Sequence, residues 1–317
     1  MTAPLWDERT HLTFAATDGQ EHMKAALLPD RSVVKVVGDG ARHFLNGLLT
    51  ADIDRATPDN ASFAALLTPQ GKIIVDMIVA EAPAEDGGGF FLDTPRALAK
   101  TCVDRLSFYK LRAKVMVEDL SEVLGVMAAW EGDAVTEYGL CYRDPRLPAL
   151  GRRIMLPPHL AAEAAVDLGA ELVPAAVFEA HRIALGVPRG GLDFIYGDAF
   201  PHEADMDQLH GVDFHKGCFV GQEVVSRMEH RGNARTRIVP VAYDGFAPDA
   251  GAAVLAAEKQ VGTFGSSAGG RALAMLRLDR AEDALAAGHA LVAGAVTLRL
   301  VKPDWARFAF PGERKAG

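Results

Sequence analysis

Cysteine is scarce in this chain, with three among 317 residues: Cys102, Cys141 and Cys218. Their odd number and wide spacing exclude a disulfide framework and point to reduced thiols. No CxxC pair occurs, so the chain cannot by itself supply the paired ligands of a zinc ribbon or a ferredoxin-type cluster. Positive charge is also short. A net charge of -9 disfavours a non-specific nucleic-acid binder, which needs many Lys and Arg to neutralise phosphates. No aromatic-rich basic surface compensates for it. Long apolar runs are missing as well. No uninterrupted apolar window is long enough to span a membrane, and MTAPLWDERTHLTF lacks a basic leader followed by an apolar stretch. The expectation is a cytoplasmic protein with no membrane association and no direct nucleic-acid partner.

What is present is ordinary globular material: 49% hydrophobic and 24% charged residues, too apolar for disorder. The length favours two or three domains, and the only unfolded tail expected is Arg314 to Gly317. SVVKVVG (32–38) reads as a strand, followed by a helix with Asp39 as N-cap and Phe44, Leu45, Leu48 and Leu49 on its apolar face. ASFAALLTPQGKIIVDMIVAEA (61–82) reads as two strands joined at the TPQG turn. Thr94 and Pro95 then read as N-cap and first residue of a helix carrying Leu98, Val103, Leu106 and Phe108. RAKVMVED returns as a strand, so 32–118 has the order βαββαβ of a ferredoxin-like layer.

Further strands are expected in SEVLGVMAAW and GRRIMLP, and helices in PHLAAEAAVDLG and in the segment from Pro174 to Gly186. LDFIYGDAFPHEADMDQLHGVDF has poor periodicity and reads as a long ordered loop of functional type. Beyond Arg237 the texture becomes short, alternating, glycine-separated runs, the pattern of a small β-barrel. The chain therefore divides into an α+β region over 1–234 and a barrel domain over 235–317.

HKGCFVGQEVVSRMEHRG (215–232) concentrates the chemistry. Gly217 and Gly221 bracket Cys218, so the backbone can turn tightly or approach a ligand where a Cβ would collide. GQEVVSRM can begin a helix whose N-terminus, with nearby Lys216, favours the thiolate, the form that attacks and binds metals. Cys102, among Ala and Val, and Cys141, beside Tyr142, read as structural. Lys216, Arg227, Arg231, Arg235 and Arg237 outweigh Glu223 and Glu229 in this stretch, with His215 and His230 nearby. Such a basic strip on an acidic protein suits a compact anionic ligand, and equally a solvated face. Gln222 and Glu223 can orient a ligand or cap the helix.

KGCFVGQEVVSRMEHRG, DRSVVKVVGDGARHFLNGLLTADI, LLTPQGKIIVDMIV and RIALGVPRGGLD together resemble the YgfZ family of folate-binding iron–sulfur cluster assembly factors. That family is a branch of the superfamily of the glycine-cleavage T-protein, a tetrahydrofolate-dependent aminomethyltransferase. The resemblance spans roughly Asp30 to Arg280. It implies a three-lobed cloverleaf with a β-barrel third lobe and tetrahydrofolate or a derivative in a central channel. It also implies a role in maturing or repairing [4Fe–4S] proteins with A-type carriers and client enzymes as partners, and a link to tRNA modification.

Cys218 then becomes the candidate thiol or transient cluster ligand, held at the rim of the pterin cavity, and Lys216 its catalytic neighbour. Asp76, Lys216, Gly217, Gly221, Gln222, Glu223 and Arg227 become the candidate folate contacts, with Arg235 a weaker one. Two departures from the T-protein pattern stand out. RIALG replaces RLEAG, so Ala184 stands where a pterin-binding glutamate would be. GKIIVDMIV replaces GGVIDDLIV, so Val75 stands where an acid would be, while Asp76 is kept. A pterin edge offers N–H donors that a buried carboxylate pairs with strongly, so these losses weaken the competing reading, a folate-dependent aminomethyltransferase or related one-carbon enzyme. A conventional enzyme is not the expectation.

Overall fold

Short β-branched and apolar runs separated by turns give sheets, and the two longest periodic apolar stretches give covering helices. The computed structural model describes residues 22–232 and 234–313. Residues 1–21 and the tail Arg314 to Gly317 lie outside the described residues.

The chain runs through β1 (Lys24–Leu28), β2 (Arg31–Val37), α1 (Ala41–Leu48), β3 (Ser62–Leu67) and β4 (Ile73–Glu81). It continues with β5 (Phe90–Pro95), α2 (Ala99–Lys110), β6 (Met116–Asp119) and β7 (Gly125–Trp130). β8 (Leu140–Arg143), β9 (Arg152–Leu156), α3 (Ala161–Asp167), β10 (Glu171–Leu172) and α4 (Ala175–Ala184) follow. After a turn-rich segment come α5 (Gln222–Arg231), β11 (Thr236–Ala242), β12 (Ala253–Ala256), β13 (Lys259–Ala268) and β14 (Arg271–Arg277). α6 (Leu278–Ala286), β15 (Leu291–Ala293) and β16 (Val296–Leu300) end the series.

The first sheet has the order β3-β4-β5-β2-β6, antiparallel throughout. It has one strand more than the βαββαβ reading, because Phe90–Pro95, omitted from that reading, is the central strand between β4 and β2. Thr94 and Pro95 therefore end β5 instead of capping a helix. Thr94 is fully buried opposite Ser32, and α2 starts later, at Ala99. Asp39 does not cap α1 either; Gly40 holds that position and no side chain closes it. On α2 the buried residues are Ala99, Cys102 and Leu106, while Phe108 is exposed.

Strand parity sorts the first sheet's faces. Val75, Met77 and Val79 pack with Phe44, Leu45 and Leu106 beneath α1 and α2. Ile78 and Ala80 point the other way, into a core shared with the second sheet, whose order is β10-β1-β7-β9-β8. Asp76 has the parity of Ile78, so it too turns toward the second lobe. The barrel closes in the order β11-β14-β13-β12-β15-β16, sealed by β16 pairing with β11 at Leu300 and Val241. α6 interrupts the expected all-β run. The segment 192–214 carries turns and no named strand or helix, as its poor periodicity predicts.

A buried ionic ladder joins the two sheets. Asp93 on β5 accepts from Arg31 Nε at 2.6 Å and from Arg153 Nη1 of β9 at 3.1 Å. Arg153 Nε continues to Asp144 Oδ2 at 3.1 Å, and Asp144 takes a two-pronged contact from Arg146 at 2.9 and 2.7 Å. Asp93 and Asp144 are fully or almost fully buried. Burial pushes the Asp144 carboxyl up, but the Arg146 and Arg153 guanidinium groups beside it hold it well below the usual carboxylate range. Burial likewise pulls Arg31 down, and Asp93 and Asp76 more than offset this.

Removing one member strands the others as buried charges. Asp93→Ala is expected to lower the unfolding free energy by about 3–5 kcal/mol in urea melts at neutral pH; a loss below about 1 kcal/mol would show that the ladder is not an anchor. Because the folded Asp144 value lies below the unfolded one, its contribution is present above an unfolded carboxylate pKa of about 4 and is lost as the pH falls below it.

Candidate functional site

The loop 213–221 is tied down at nearly every residue except the cysteine. Asp213 Oδ1 accepts the backbone N–H groups of His215 at 2.8 Å and Lys216 at 3.2 Å, a local turn of the kind short carboxylates favour. Thr50, fully buried, donates through its hydroxyl to Gly211 O at 2.6 Å, and its carbonyl accepts from Asp213 N at 2.9 Å. Phe219 is buried and Val220 packs against the first lobe's helical core. Cys218, one residue earlier, is exposed.

Lys216 does something other than activate the thiol or reach for an anionic tail. Its Nζ donates to the carbonyls of Asn46 at 2.7 Å, Leu49 at 2.8 Å and Ala51 at 2.7 Å. These are the carbonyls around the C-terminal end of α1, which a helix cannot satisfy internally. Burial pulls the ammonium down to about 8, against the upward effect of Asp52, Asp213 and Asp54. Lys216 is thus the latch between the cysteine loop and the first lobe.

Gly221, with φ +82°, starts α5; a Cβ there would lie 2.6 Å from Thr68 O and 3.1 Å from Gly71 Cα. The TPQG turn between β3 and β4 therefore packs directly on the first turn of α5. No side chain caps that helix. Glu223 is exposed and pairs with Arg227, at 2.5 Å, along the helix surface, so neither residue forms the expected cap or reaches into a cleft. Gly217 is exposed with open space where a Cβ would stand. Arg235 is exposed, and Arg237 is buried against Asp205 and Asp207. Lys216, Arg227 and Arg237 of the basic strip are thus each bonded within the chain.

A separate cleft of about 280 Å³ opens between the two sheets and α4. Its walls include Asp30, Arg31, Asp76, Arg146, Arg153, Phe178, Glu179, Arg182 and Arg189. Of the residues singled out from sequence, Asp76 alone is among them; Cys218 is not, so the sulfur does not sit at this rim. Asp76 is buried and accepts the Tyr196 hydroxyl. Burial, then the Asp76 charge, pushes that phenol far up, so it remains a donor.

Ala184 is exposed in the last turn of α4, and Val75 is buried on the opposite sheet face from Asp76. The cleft's own helix carboxylate is Glu179, which accepts from Arg182 Nε and Arg189 Nη1, each at 3.1 Å. Arg182 continues to Asp193 at 3.0 Å and to Ser266 of the barrel at 2.8 Å. Among the cleft arginines, Arg189 is the accessible one: its side chain is 32% exposed, against 11% for Arg31 and 3–9% for Arg146, Arg153 and Arg182. These arginines went unread because they lie far apart in sequence.

Residues 235–308 match the family described as the CAF17 C-terminal beta-barrel domain. The chain is 30% identical over 310 residues to the human mitochondrial iron–sulfur cluster assembly factor IBA57, covering 88% of this chain and 84% of that protein. It is 35% identical over 242 residues to the mitochondrial IBA57 homologue of Mycosarcoma maydis, covering 72% of this chain and 59% of the relative; the chain thus spans about three fifths of that fungal protein. The structure aligns with the glycine cleavage system aminomethyltransferase T of Bartonella henselae at a TM-score of 0.71 and 18% identity, over 91% of this chain and 88% of that one. The T-protein-like α+β fold with a carboxy-terminal barrel is thereby shown. The named relatives are mitochondrial, which overturns the expectation of a cytoplasmic protein.

The three thiols differ in ways that alkylation reads. Burial pushes Cys102 up to about 12 and also raises Cys141. Iodoacetamide on native protein should label Cys218 first, Cys141 slowly and Cys102 only on unfolding, by mass spectrometry. Equal labelling of Cys218 and Cys102 would contradict the loop geometry. Gly221→Ala, which adds a strained φ and a backbone clash, should cost about 2 kcal/mol of stability or more, read as a lowered denaturation midpoint.

Proposed function

The chain belongs to the IBA57 family of iron–sulfur cluster assembly factors, and from that membership we propose that it assists the assembly or repair of iron–sulfur proteins, [4Fe–4S] enzymes in particular, through Cys218. YgfZ, to which the motifs point, is a related family. The observation that carries the reading is the exposure of Cys218 in a loop whose neighbours are bonded or buried. A cluster needs about four protein ligands, which Cys102, buried beneath α2, cannot help supply. One exposed thiol can supply a single ligand to a cluster shared with a partner, or exchange with a partner's sulfur. An A-type carrier is the partner class that this chemistry fits, with client [4Fe–4S] enzymes downstream.

Tetrahydrofolate or a derivative is the small molecule proposed for the inter-lobe cleft. The residues present suit it. Asp76 is a buried acceptor for pterin N–H groups, Phe178 is an apolar wall, and Arg189 is an accessible guanidinium for a glutamyl carboxylate. Membership of a family of assembly factors favours this accessory role over aminomethyl transfer; Val75 and Ala184 lie outside the cleft lining and do not bear on the choice.

Anaerobic mixing with an A-type carrier, iron and sulfide should give a coloured complex that co-elutes on gel filtration, and Cys218→Ser should abolish it while leaving folate binding intact. Absence of any iron-dependent complex with the unaltered chain would refute the shared-ligand role. Arg189→Ala should weaken tetrahydrofolate binding about tenfold by calorimetry, and unchanged binding would remove Arg189 from the site.

A further inference from the structure

Another cavity is distinct from the inter-lobe cleft and is not bounded by Cys218. About 810 Å³ in volume, it lies where the turns at 202–208, the end of α5 and the segment 307–313 converge. His202, Asp207 and Glu229 all line it, and each offers a ligand atom within 4.8 Å of the other two. They come from two separate pieces of chain, and none was singled out from sequence as a ligand.

His202 is only 1% exposed. Its Nε2 lies 3.1 Å from Glu229 Oε2. That separation suits a hydrogen bond, and it equally suits two donors on one ion, since adjacent ligands each about 2.1 Å from a shared metal stand about 3 Å apart. Asp207 receives Arg237 Nη1 and Nη2, at 2.9 and 2.8 Å, and Gln208 Nε2 at 2.7 Å, which leaves about one of a carboxylate's four acceptor sites open. Two carboxylates against one guanidinium leave net negative charge in the cluster.

A second observation points to a ligand. Among the described residues, only two buried side-chain polar atoms lack a hydrogen-bond partner: His202 Nδ1 and Asp205 Oδ2. The first belongs to a member of the triad. The second belongs to the fully buried neighbour that shares Arg237 with Asp207, at 3.0 Å. An orphaned buried polar atom costs about 1–3 kcal/mol and calls for a partner such as an ion or a water; Nδ1 gains one if it is the imidazole atom that takes the ion, with Nε2–H turned to Glu229.

We propose that His202, Asp207 and Glu229 bind a divalent first-row transition-metal ion, with its remaining coordination positions open to the cavity. An imidazole with two carboxylates suits Zn²⁺, Mn²⁺ or Fe²⁺ better than Ca²⁺ or Mg²⁺, which take oxygen ligands. Three protein ligands and an open face describe an exchangeable or reactive site, where a closed structural one would have four. The site is independent of Cys218 and of folate.

Tag-free, chelator-stripped full chain titrated with Co²⁺ should bind one ion with a visible absorption band that Zn²⁺ displaces. His202→Ala and Glu229→Gln should each weaken binding at least about tenfold, while Cys218→Ser should bind as the unaltered chain does. Zn²⁺ should raise the melting temperature of the unaltered chain and of Cys218→Ser but not of the other two. Glu229 is partly exposed, with 45% of its side chain accessible, so Glu229→Gln decides the matter if His202→Ala does not fold. No saturable binding, binding indifferent to Glu229→Gln, or binding lost in Cys218→Ser would each overturn the proposal.

Discussion

Asp93 is the point through which the two sheets are held to each other. It sits on β5 of the first sheet, takes Arg31 from the neighbouring strand, and takes Arg153 from β9 of the second. Tyr142 on β8 approaches the same carboxylate at 3.4 Å. A buried charge of this kind has few alternatives: left unpaired it costs several kcal/mol, and paired it dictates the position of each partner. The ladder therefore constrains the relative placement of two lobes that share apolar packing, where packing alone tolerates small shifts. Its arginines also form much of the cleft wall, so the anchoring of the lobes and the electrostatics of the cleft arise from the same side chains.

The cleft and the cysteine loop are distinct stations joined by β4. Gly71, just before the strand, touches the start of α5, and Asp76 within it turns into the cleft. Five residues of extended chain span roughly 17 Å, which puts the sulfur's loop and the cleft carboxylate at separate places on one rigid element.

Lys216 and the arginines illustrate how sequence neighbourhood misleads. A lysine two residues from a cysteine reads as its activator, yet the ammonium is committed to three carbonyls around the end of a helix 170 residues away in sequence. Arg227 reads as a ligand for an anionic tail, yet it faces its own helix partner Glu223. In both cases the nearest unsatisfied polar group in space decided the contact, and spacing along the chain carries no information about it. The cleft arginines escaped notice for the converse reason: Arg31, Arg153 and Arg189 are scattered over three segments and only converge on folding.

Sequence alone determined the α+β region, the carboxy-terminal barrel, the TPQG hairpin, the helix after Gly221 and the prominence of Cys218 and Asp76. All of these are written in local periodicity, turn chemistry or a contiguous motif. The short strands β1 and β10, the strand status of Phe90–Pro95, the pairing of the second sheet, the cleft and the His202 cluster were decided only by tertiary structure. Each depends on which distant segment supplies the partner for a hydrogen bond or a charge. That partner is selected by burial, which local sequence does not encode.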